Sequence, residues 1–205
     1  NALDSATGEA VASGSVQVVQ SSVEQSSRCA PLNELYSCYP GGNDTSLVFD
    51  EGVLRSDYPL LNREILQSFP NLEQGGFLEM SPEGAIHLQM AGGEFCGNAL
   101  RSVAALVVSD FLGERRLAKI VRYELIKSNN GSFDVPITIS GTNKTLLAQV
   151  KYSNGEFDVA TEMPDIASLE KVSRRAVEVN GKIVPVCLVQ LEGISHVLVR
   201  EEDLA

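Results

Sequence analysis

The sequence contains no apolar run long enough to cross a membrane. Its longest run, VAALVV at 103–108, is far shorter than the roughly 20 residues that a membrane-spanning helix needs. No stretch near residue 1 combines a positive start, an apolar segment and a small-residue cleavage site, which is the pattern of a secretory signal. We therefore expect no transmembrane segment, no membrane partner and no secretory signal.

Basic residues are also few. The chain of 205 residues has 16 Lys and Arg against 27 Asp and Glu, a formal net charge of −11 at pH 7. Phosphate backbones are repelled by such a charge, so we expect no nucleic-acid partner. With 43% hydrophobic residues, the chain has the composition of an ordinary globular protein that buries a core.

Cysteine and histidine are too scattered for a metal site. None of the four cysteines has the C-x-x-C spacing of a zinc site, and the two histidines are far apart in the sequence. The cysteines are also too few for a small, disulfide-rich secreted domain. We therefore expect free thiols, no metal and a reducing, cytoplasmic location. The cysteines are Cys29, Cys38, Cys96 and Cys187.

The first residues differ in composition from the rest. Residues 1–28 are rich in Ser, Gly, Ala, Val and Gln and have no aromatic side chain, which is too little bulk for a core. The segment SVQVVQSSV has the valine content of an edge strand, but we favour a flexible tail. We divide the chain into an N-terminal extension of uncertain order over 1–34, a first lobe over 35–175 and the start of a truncated second lobe over 176–205.

The remaining sequence predicts an α+β protein. Residues 61–69 have helical spacing and end at Pro70, while GFLEM and AIHLQM alternate as a hairpin. The stretch 97–112 is apolar on nearly every side and ends at Gly113, which indicates a buried helix. Short β-type segments divided by turns follow. We expect a mostly antiparallel or mixed sheet wrapped around one central, buried helix.

The segment MAGGEFCGNALRS, residues 90–102, carries the candidate chemistry, because Cys96, Gly97 and Asn98 stand where the buried helix begins. The first N–H groups of a helix have no intrahelical partner, and together with the helix dipole they bind a carboxylate. Gly97 lets the backbone approach a ligand, and Asn98 can cap the helix or donate to that ligand. The thiolate form of a thiol is favoured at this position, which makes Cys96 a usable base beside the Cα–H of a bound amino acid.

A structural cysteine is the common alternative, because a buried Cys behaves as a small hydrophobe. Three features favour catalysis. Cys96 precedes the apolar helix instead of lying inside it, Gly97 and Asn98 follow at once, and two glycines come shortly before. Glu94 could tune the thiol or cap the helix, and we favour the cap.

The segment FCGNALRS resembles the Cys-Gly-Asn-Gly-Ala-Arg signature of the diaminopimelate epimerase family. Two further segments agree in order, since PGGNDTSLVFD at 40–50 is similar to that family's opening strand and GISHVLVREEDL at 193–204 to its Gly-Asn-Pro-His segment. The resemblance implies two mirror-related lobes, each a sheet on a central helix, with the active site between them. It also implies that two cysteines, one per lobe, exchange protons with opposite faces of the substrate Cα, without pyridoxal phosphate, metal or any other cofactor.

The resemblance also implies roles for individual residues. Cys96 matches the acid/base of the first lobe, and Gly97 and Asn98 match the residues that hold the α-carboxylate. Asn43 matches a substrate-contacting amide in the opening loop. His196 matches a histidine near the catalytic centre, where it would help to set the protonation of the thiol.

The chain departs from the family pattern around the substrate. Ile194 and Ser195 stand where Asn-Pro is usual, and Ala99 replaces the second glycine of the signature. Because amides of that kind hold the distal end of diaminopimelate, a racemase of another amino acid, such as histidine, fits at least as well as an epimerase of lysine biosynthesis. Arg101 matches in position, and we expect it to tether the helix instead of touching the substrate.

The second catalytic cysteine of the family has no counterpart here. No cysteine follows His196, and Cys187 lies inside the alternating run VPVCLV, which is typical of a core residue. We therefore expect a fragment of a longer isomerase, inactive alone, that takes a small-molecule amino acid, with a homodimer as the candidate assembly. The alternative is a non-catalytic protein that binds carboxylates on the same fold.

Overall fold

The computed structural model describes residues 2–3, 10–21, 35–49, 52–81, 84–113, 126–127, 131–142, 144–164, 172–191 and 194–204. These residues form one large sheet, one three-stranded sheet and three helices. The helices are Tyr58–Ser68 (α1), Gly97–Phe111 (α2) and Glu201–Leu204 (α3). A 3₁₀ turn over Arg55–Asp57 leads into α1.

The strands of the large sheet form a closed cycle of pairings. In chain order they are Ala2–Leu3 (β1), Ala10–Ser21 (β2), Leu35–Tyr39 (β3), Thr45–Val48 (β4), Gln74–Met80 (β5), Ile86–Met90 (β6), Ile126–Lys127 (β7), Phe133–Ile139 (β8), Thr145–Ser153 (β9) and Glu156–Glu162 (β10). The cycle runs β2-β10-β9-β8-β6-β5-β4-β3 and returns to β2. Its pairings are antiparallel except for the parallel pairs β4–β5 and β6–β8, as expected of a mostly antiparallel, mixed sheet.

Helix α2 fills the inside of this barrel-like sheet. Every residue from Ala99 to Ser109 is buried, which leaves exposed surface only near the helix ends. Alternate side chains of the sheet pack against the helix, since every second side chain of β8 and β9 is buried. The predicted sheet around one central, buried helix is therefore confirmed, and α2 begins at Gly97 as the sequence indicates.

Helix α1 packs on the opposite face of the sheet. Tyr58, Leu61 and Ile65 recur at helical spacing and are buried, and Pro59 lies in the first turn, where a missing N–H costs nothing. The Tyr58 ring stacks on Phe77 of β5 at a centroid distance of 3.8 Å. The predicted helix over 61–69 is confirmed, although it starts about one turn earlier, at Tyr58. The predicted hairpin that follows is also confirmed, as the antiparallel pair β5–β6.

Strand β2 corrects the interpretation of the N-terminal segment. It pairs with β10 along Val11–Val16 and with β3 along Gln17–Ser21. Val16 and Val18 are buried, whereas Gln17 between them is exposed. The flexible tail favoured for this part of 1–34 is therefore wrong, because the V-Q-V alternation supplies an inward face that the barrel core covers.

A second, smaller sheet follows the barrel. Its strands are Val172–Val179 (β11), Lys182–Leu191 (β12) and Ile194–Leu198 (β13), all antiparallel. Asn180 and Gly181 both have positive φ, at 53° and 78°, which is the geometry of a two-residue hairpin turn. The domain boundaries at 34 and 175 and the assignment of this sheet to a second lobe stay predictions. No helix in the described part of the chain is long and apolar enough to span a membrane.

The packing of β2 predicts a difference between two neighbouring substitutions. Val16 is 1% exposed, so Val16→Ala should lower the free energy of unfolding by about 2 kcal/mol through lost apolar burial. The matched change on the exposed side, Gln17→Ala, should stay within about 0.5 kcal/mol of the parent. Urea denaturation of the full-length protein measures both values. Equal effects at the two positions would contradict the placement of β2 in the barrel.

Candidate active site

Cys96 is the N-cap residue of α2. Its backbone is extended, with φ −137° and ψ 110°, and its sulfur accepts a hydrogen bond from the Ala99 N–H at 3.4 Å. The side chain is half-buried at the start of α2. The predicted position of this thiol at the start of the buried helix is confirmed. The cap favoured for Glu94 is wrong, because Cys96 itself caps the helix.

The end of β8 holds the segment that leads to Cys96. The Ser140 hydroxyl accepts from the Met90 N–H at 2.9 Å and donates to the Glu94 carbonyl at 2.8 Å. At the next residue, Gly141, φ is +74°, and a Cβ there would lie within 3.0 Å of the Phe95 backbone nitrogen. Only glycine fits this turn, since it has both the left-handed conformation and the close backbone approach.

Gln74, the first residue of β5, contacts the thiol directly. Its Nε2 lies 3.0 Å and its Oε1 3.3 Å from the Cys96 sulfur, so the amide can donate to a thiolate or accept from a thiol. The same Nε2 lies 2.7 Å from the Thr45 hydroxyl. Thr45 and Gln74 are register partners in the parallel pair β4–β5. Gln74 was not predicted from the sequence, because no local motif marks it and only the sheet register brings it to Cys96.

Asn98 joins the helix start to the loop that precedes β4. Its Nδ2 donates to the Gly42 carbonyl at 2.6 Å and lies 3.5 Å from the Asn43 Oδ1. Asn43 has φ of 51°, a left-handed conformation that Asn tolerates better than most residues. The Asn43 carbonyl also accepts from the Gln74 Nε2 at 3.3 Å. The structure thus brings together four residues singled out in the sequence: Asn43, Cys96, Gly97 and Asn98.

Gly97 supplies the first helical N–H of α2. A Cβ at this position would lie 3.3 Å from the Met163 sulfur and 3.8 Å from the Phe95 ring. Met163 and Phe95 therefore form an apolar wall beside the first turn. The N–H groups of Gly97 and Asn98 belong to that turn, where no intrahelical carbonyl reaches them.

Arg101 lies one turn further along α2. Its Nη2 donates to the Asn98 Oδ1 at 2.6 Å and to the Pro40 carbonyl at 2.9 Å. The first of these bonds orients the Asn98 amide, and the second ties α2 to the loop after β3, as expected of a residue that tethers the helix. Burial lowers the pKa of Arg101 from its ordinary value, while the charge of Cys96 acts to raise it.

The structure does not bring His196 to this cluster. His196 is an exposed residue of β13, where its register partner is Val189 of β12. Within the described ranges, no hydrogen bond joins it to Cys96 or to the residues around Cys96. Its role near the catalytic centre stays a prediction. Cys187 lies half-buried on β12 of the same small sheet.

The cluster has the parts needed to hold an amino acid and to act on its Cα. Helix N–H groups and the dipole of α2 favour a carboxylate at Gly97 and Asn98. A carboxylate bound there would bring the adjacent Cα–H to the Cys96 sulfur. The Gln74 amide can stabilise either protonation state of the Cys96 sulfur, because its nitrogen donates to a thiolate and its oxygen accepts from a thiol.

Comparison with known proteins assigns a class to this arrangement. The family profile described as the histidine racemase CntK N-terminal domain matches residues 34–205. Proteins named histidine racemase from two strains of Fusobacterium nucleatum subsp. nucleatum are each 32% identical to the chain over 160 residues. The family match covers well over half of the chain and includes the Cys96 cluster. The chain therefore belongs to the family of the histidine racemase CntK N-terminal domain.

The alignments with the two Fusobacterium nucleatum proteins cover 77% of this chain, but 51% and 50% of the relatives. The chain therefore spans about half the length of the curated relatives that it matches. The family match begins at residue 34, after strand β2, and includes Cys96 and His196. The narrower resemblance to diaminopimelate epimerases stays a prediction.

Gly141 and Gly155 both lie in turns, and comparing them tests whether the 140–141 turn supports Cys96 specifically. Gly141 and Gly155 have φ of +74° and +84°, but only Gly141 has backbone atoms within reach of an added Cβ. Each change to Ala should lower the free energy of unfolding by about 1–2 kcal/mol, because Ala is disfavoured in the left-handed conformation. Gly141→Ala should lower it by roughly 2 kcal/mol more, because the added Cβ overlaps the Phe95 backbone. Thermal unfolding and the rate of Cys96 alkylation should both change in Gly141→Ala. An altered alkylation rate in Gly155→Ala as well would argue against a specific role of the 140–141 turn.

Proposed function

We propose that the full-length protein is a cofactor-independent amino-acid racemase and that histidine is its substrate. The observation that carries this proposal is the position of Cys96, half-buried at the start of α2, with the Gln74 amide at 3.0 Å from its sulfur. A structural cysteine needs neither a polar partner nor a place beside unpaired helix N–H groups.

The choice of histidine rests on two independent points. The relatives that share 32% identity with the chain carry the name histidine racemase. The sequence also has Ile194 and Ser195 where diaminopimelate epimerases usually have the Asn-Pro of their substrate pocket. Both points favour histidine over diaminopimelate, and with it a role outside lysine biosynthesis.

The proposed reaction begins with the carboxylate of the amino acid on the N–H groups of Gly97 and Asn98. The Cys96 thiolate takes the proton from Cα, and the electron pair of the broken C–H bond is delocalised into the carboxylate. The helix N–H groups stabilise the charge that develops there. A second acid then delivers a proton to the opposite face of Cα, which completes the inversion and leaves Cys96 as a thiol.

We place the second acid outside the barrel. Of the other cysteines in the described residues, Cys38 is buried in the barrel core and Cys187 lies on the small sheet. A second thiol, facing Cys96 across the bound substrate, is the group that the two-cysteine mechanism requires. This part of the proposal concerns the full-length protein and not the barrel alone.

Exchange of the α-proton in deuterated water tests the proposal. The full-length protein should incorporate deuterium into histidine, and Cys96→Ala should slow this incorporation roughly thousandfold, the usual contribution of a general base. Cys187→Ala is the matched control, because it removes a half-buried thiol away from the cluster and should leave the rate close to that of the parent. Diaminopimelate in the same assay measures substrate preference.

The same assay distinguishes the alternative function. Histidine binding that is measurable by calorimetry, without deuterium uptake from any amino acid in a broad panel, would replace the racemase with a carboxylate-binding protein. Deuterium uptake that survives in Cys96→Ala would contradict the assignment of the base. Uptake into diaminopimelate in preference to histidine would overturn the substrate and leave the chemistry in place.

A further inference from the structure

Thr45, the first residue of β4, has a buried hydroxyl whose only hydrogen is already used. The residue is fully buried, and its Oγ1 donates to the Asn43 carbonyl at 2.8 Å. A hydroxyl has one hydrogen to donate and two lone pairs with which to accept. Because a carbonyl can only accept, the hydrogen lies on the Asn43 side. Thr45 therefore offers its other neighbours nothing but an acceptor.

The Gln74 amide is the group that meets this acceptor. The amide atom at 2.7 Å from the Thr45 Oγ1 is Nε2, and an oxygen in its place would put two acceptors in contact without a hydrogen between them. The Asn43 carbonyl, 3.3 Å from the same Nε2, acts in the same direction. To donate to an amide oxygen, Thr45 would have to give up its bond to Asn43. The two acceptors therefore select one of the two orientations of the amide.

The selected orientation determines what Gln74 presents to Cys96. Nε2 carries two hydrogens, of which one goes to Thr45 and the other can reach the Cys96 sulfur at 3.0 Å. The amide oxygen, which would accept from an S–H, is further from the sulfur, at 3.3 Å. The Ala99 N–H is a second donor to the same sulfur, at 3.4 Å. Two N–H donors on one sulfur favour its proton-accepting form, because hydrogen bonds to a charged acceptor are stronger than those to a neutral one.

We propose that Thr45 is a positioning residue for the Cys96 base, and that its buried hydroxyl holds the Gln74 amide in the orientation that directs an N–H to the sulfur. The inference deepens the proposed racemase function, on which its catalytic consequence rests, since a base that takes the Cα proton has to begin as an acceptor. The reactivity of Cys96 toward an alkylating reagent is measurable without any substrate, so the two proposals fail separately.

Alkylation of Cys96 by iodoacetamide in the full-length protein, followed by mass spectrometry of the peptide that contains Cys96, tests this role. Thr45→Val keeps the shape of the side chain and removes the hydroxyl, so the amide is free to turn its oxygen toward the sulfur. Alkylation at pH 7 should slow about fivefold, as expected for loss of one hydrogen bond. At about pH 10, where an ordinary cysteine is ionised, the rates of parent and variant should converge. Equal slowing at both pH values would indicate altered access to Cys96 and would overturn the proposal.

Two further variants separate the hydroxyl of Thr45 from its packing. Thr45→Ser keeps the hydroxyl and removes the methyl group, and should keep most of the parent rate. Ser46→Ala removes the neighbouring buried hydroxyl, which donates to the Gln74 backbone carbonyl at 3.2 Å, and should leave the rate close to that of the parent. Slowing as large as that of Thr45→Val in either variant would contradict a role of the Thr45 hydroxyl. All variants retain the charged residues that adjoin this network in the chain, which are Asp44, Glu73, Glu94 and Arg101.

Thr45→Ala covers the case in which Thr45→Val does not fold. It differs from Thr45→Ser only by the hydroxyl, so it should alkylate more slowly than Thr45→Ser at pH 7. Circular dichroism establishes which variants are folded. An unchanged rate at pH 7 in folded Thr45→Val would overturn the proposal, and so would equal rates in folded Thr45→Ala and Thr45→Ser. Deuterium exchange into histidine, measured separately, decides the racemase function whatever the alkylation rates are.

Discussion

Burial of a long apolar helix inside a closed sheet is the constraint on which this structure depends. Eleven consecutive residues of α2, from Ala99 to Ser109, are covered by the barrel, so ligands reach this helix only at its ends. The N-terminal end is the chemically useful one, because unpaired N–H groups and the positive end of the dipole coincide there. The position of Cys96 as N-cap places a thiol at that point without disturbing the apolar core.

The polar groups around the thiol come from parts of the chain that are distant in sequence. Gln74 arrives through the register of β4 and β5, Asn43 through the loop before β4, and Arg101 from the helix itself. Their hydrogen bonds converge on Cys96 and Asn98, the residues that would meet the carboxylate and the Cα–H of an amino acid. The contacts of Gln74 and Asn43 depend on the sheet and on the loop before β4, whereas the bond from Arg101 to Asn98 lies within α2.

The signals that the sequence displays are local ones. The apolar run after Cys96 and the alternation in GFLEM and AIHLQM each act over a few residues, and they predicted the central helix and the β5–β6 hairpin correctly. Sheet pairing is non-local, so neither the contact of Gln74 with the thiol nor the closure of the barrel by β2 was predictable. For β2 the low aromatic content of residues 1–28 was misleading, because a strand covered by a larger core needs no bulk of its own.

The proposed function depends on the start of α2 being the site that binds the substrate carboxylate. A crystal structure of the full-length Cys96→Ser variant with histidine tests it most directly, since this change removes the thiol and keeps the shape of the site. We expect the carboxylate on the N–H groups of Gly97 and Asn98, with Cα within about 3.5 Å of the side chain at position 96, the distance of a reactive geometry. Histidine bound elsewhere, with the start of α2 left to solvent, would contradict it.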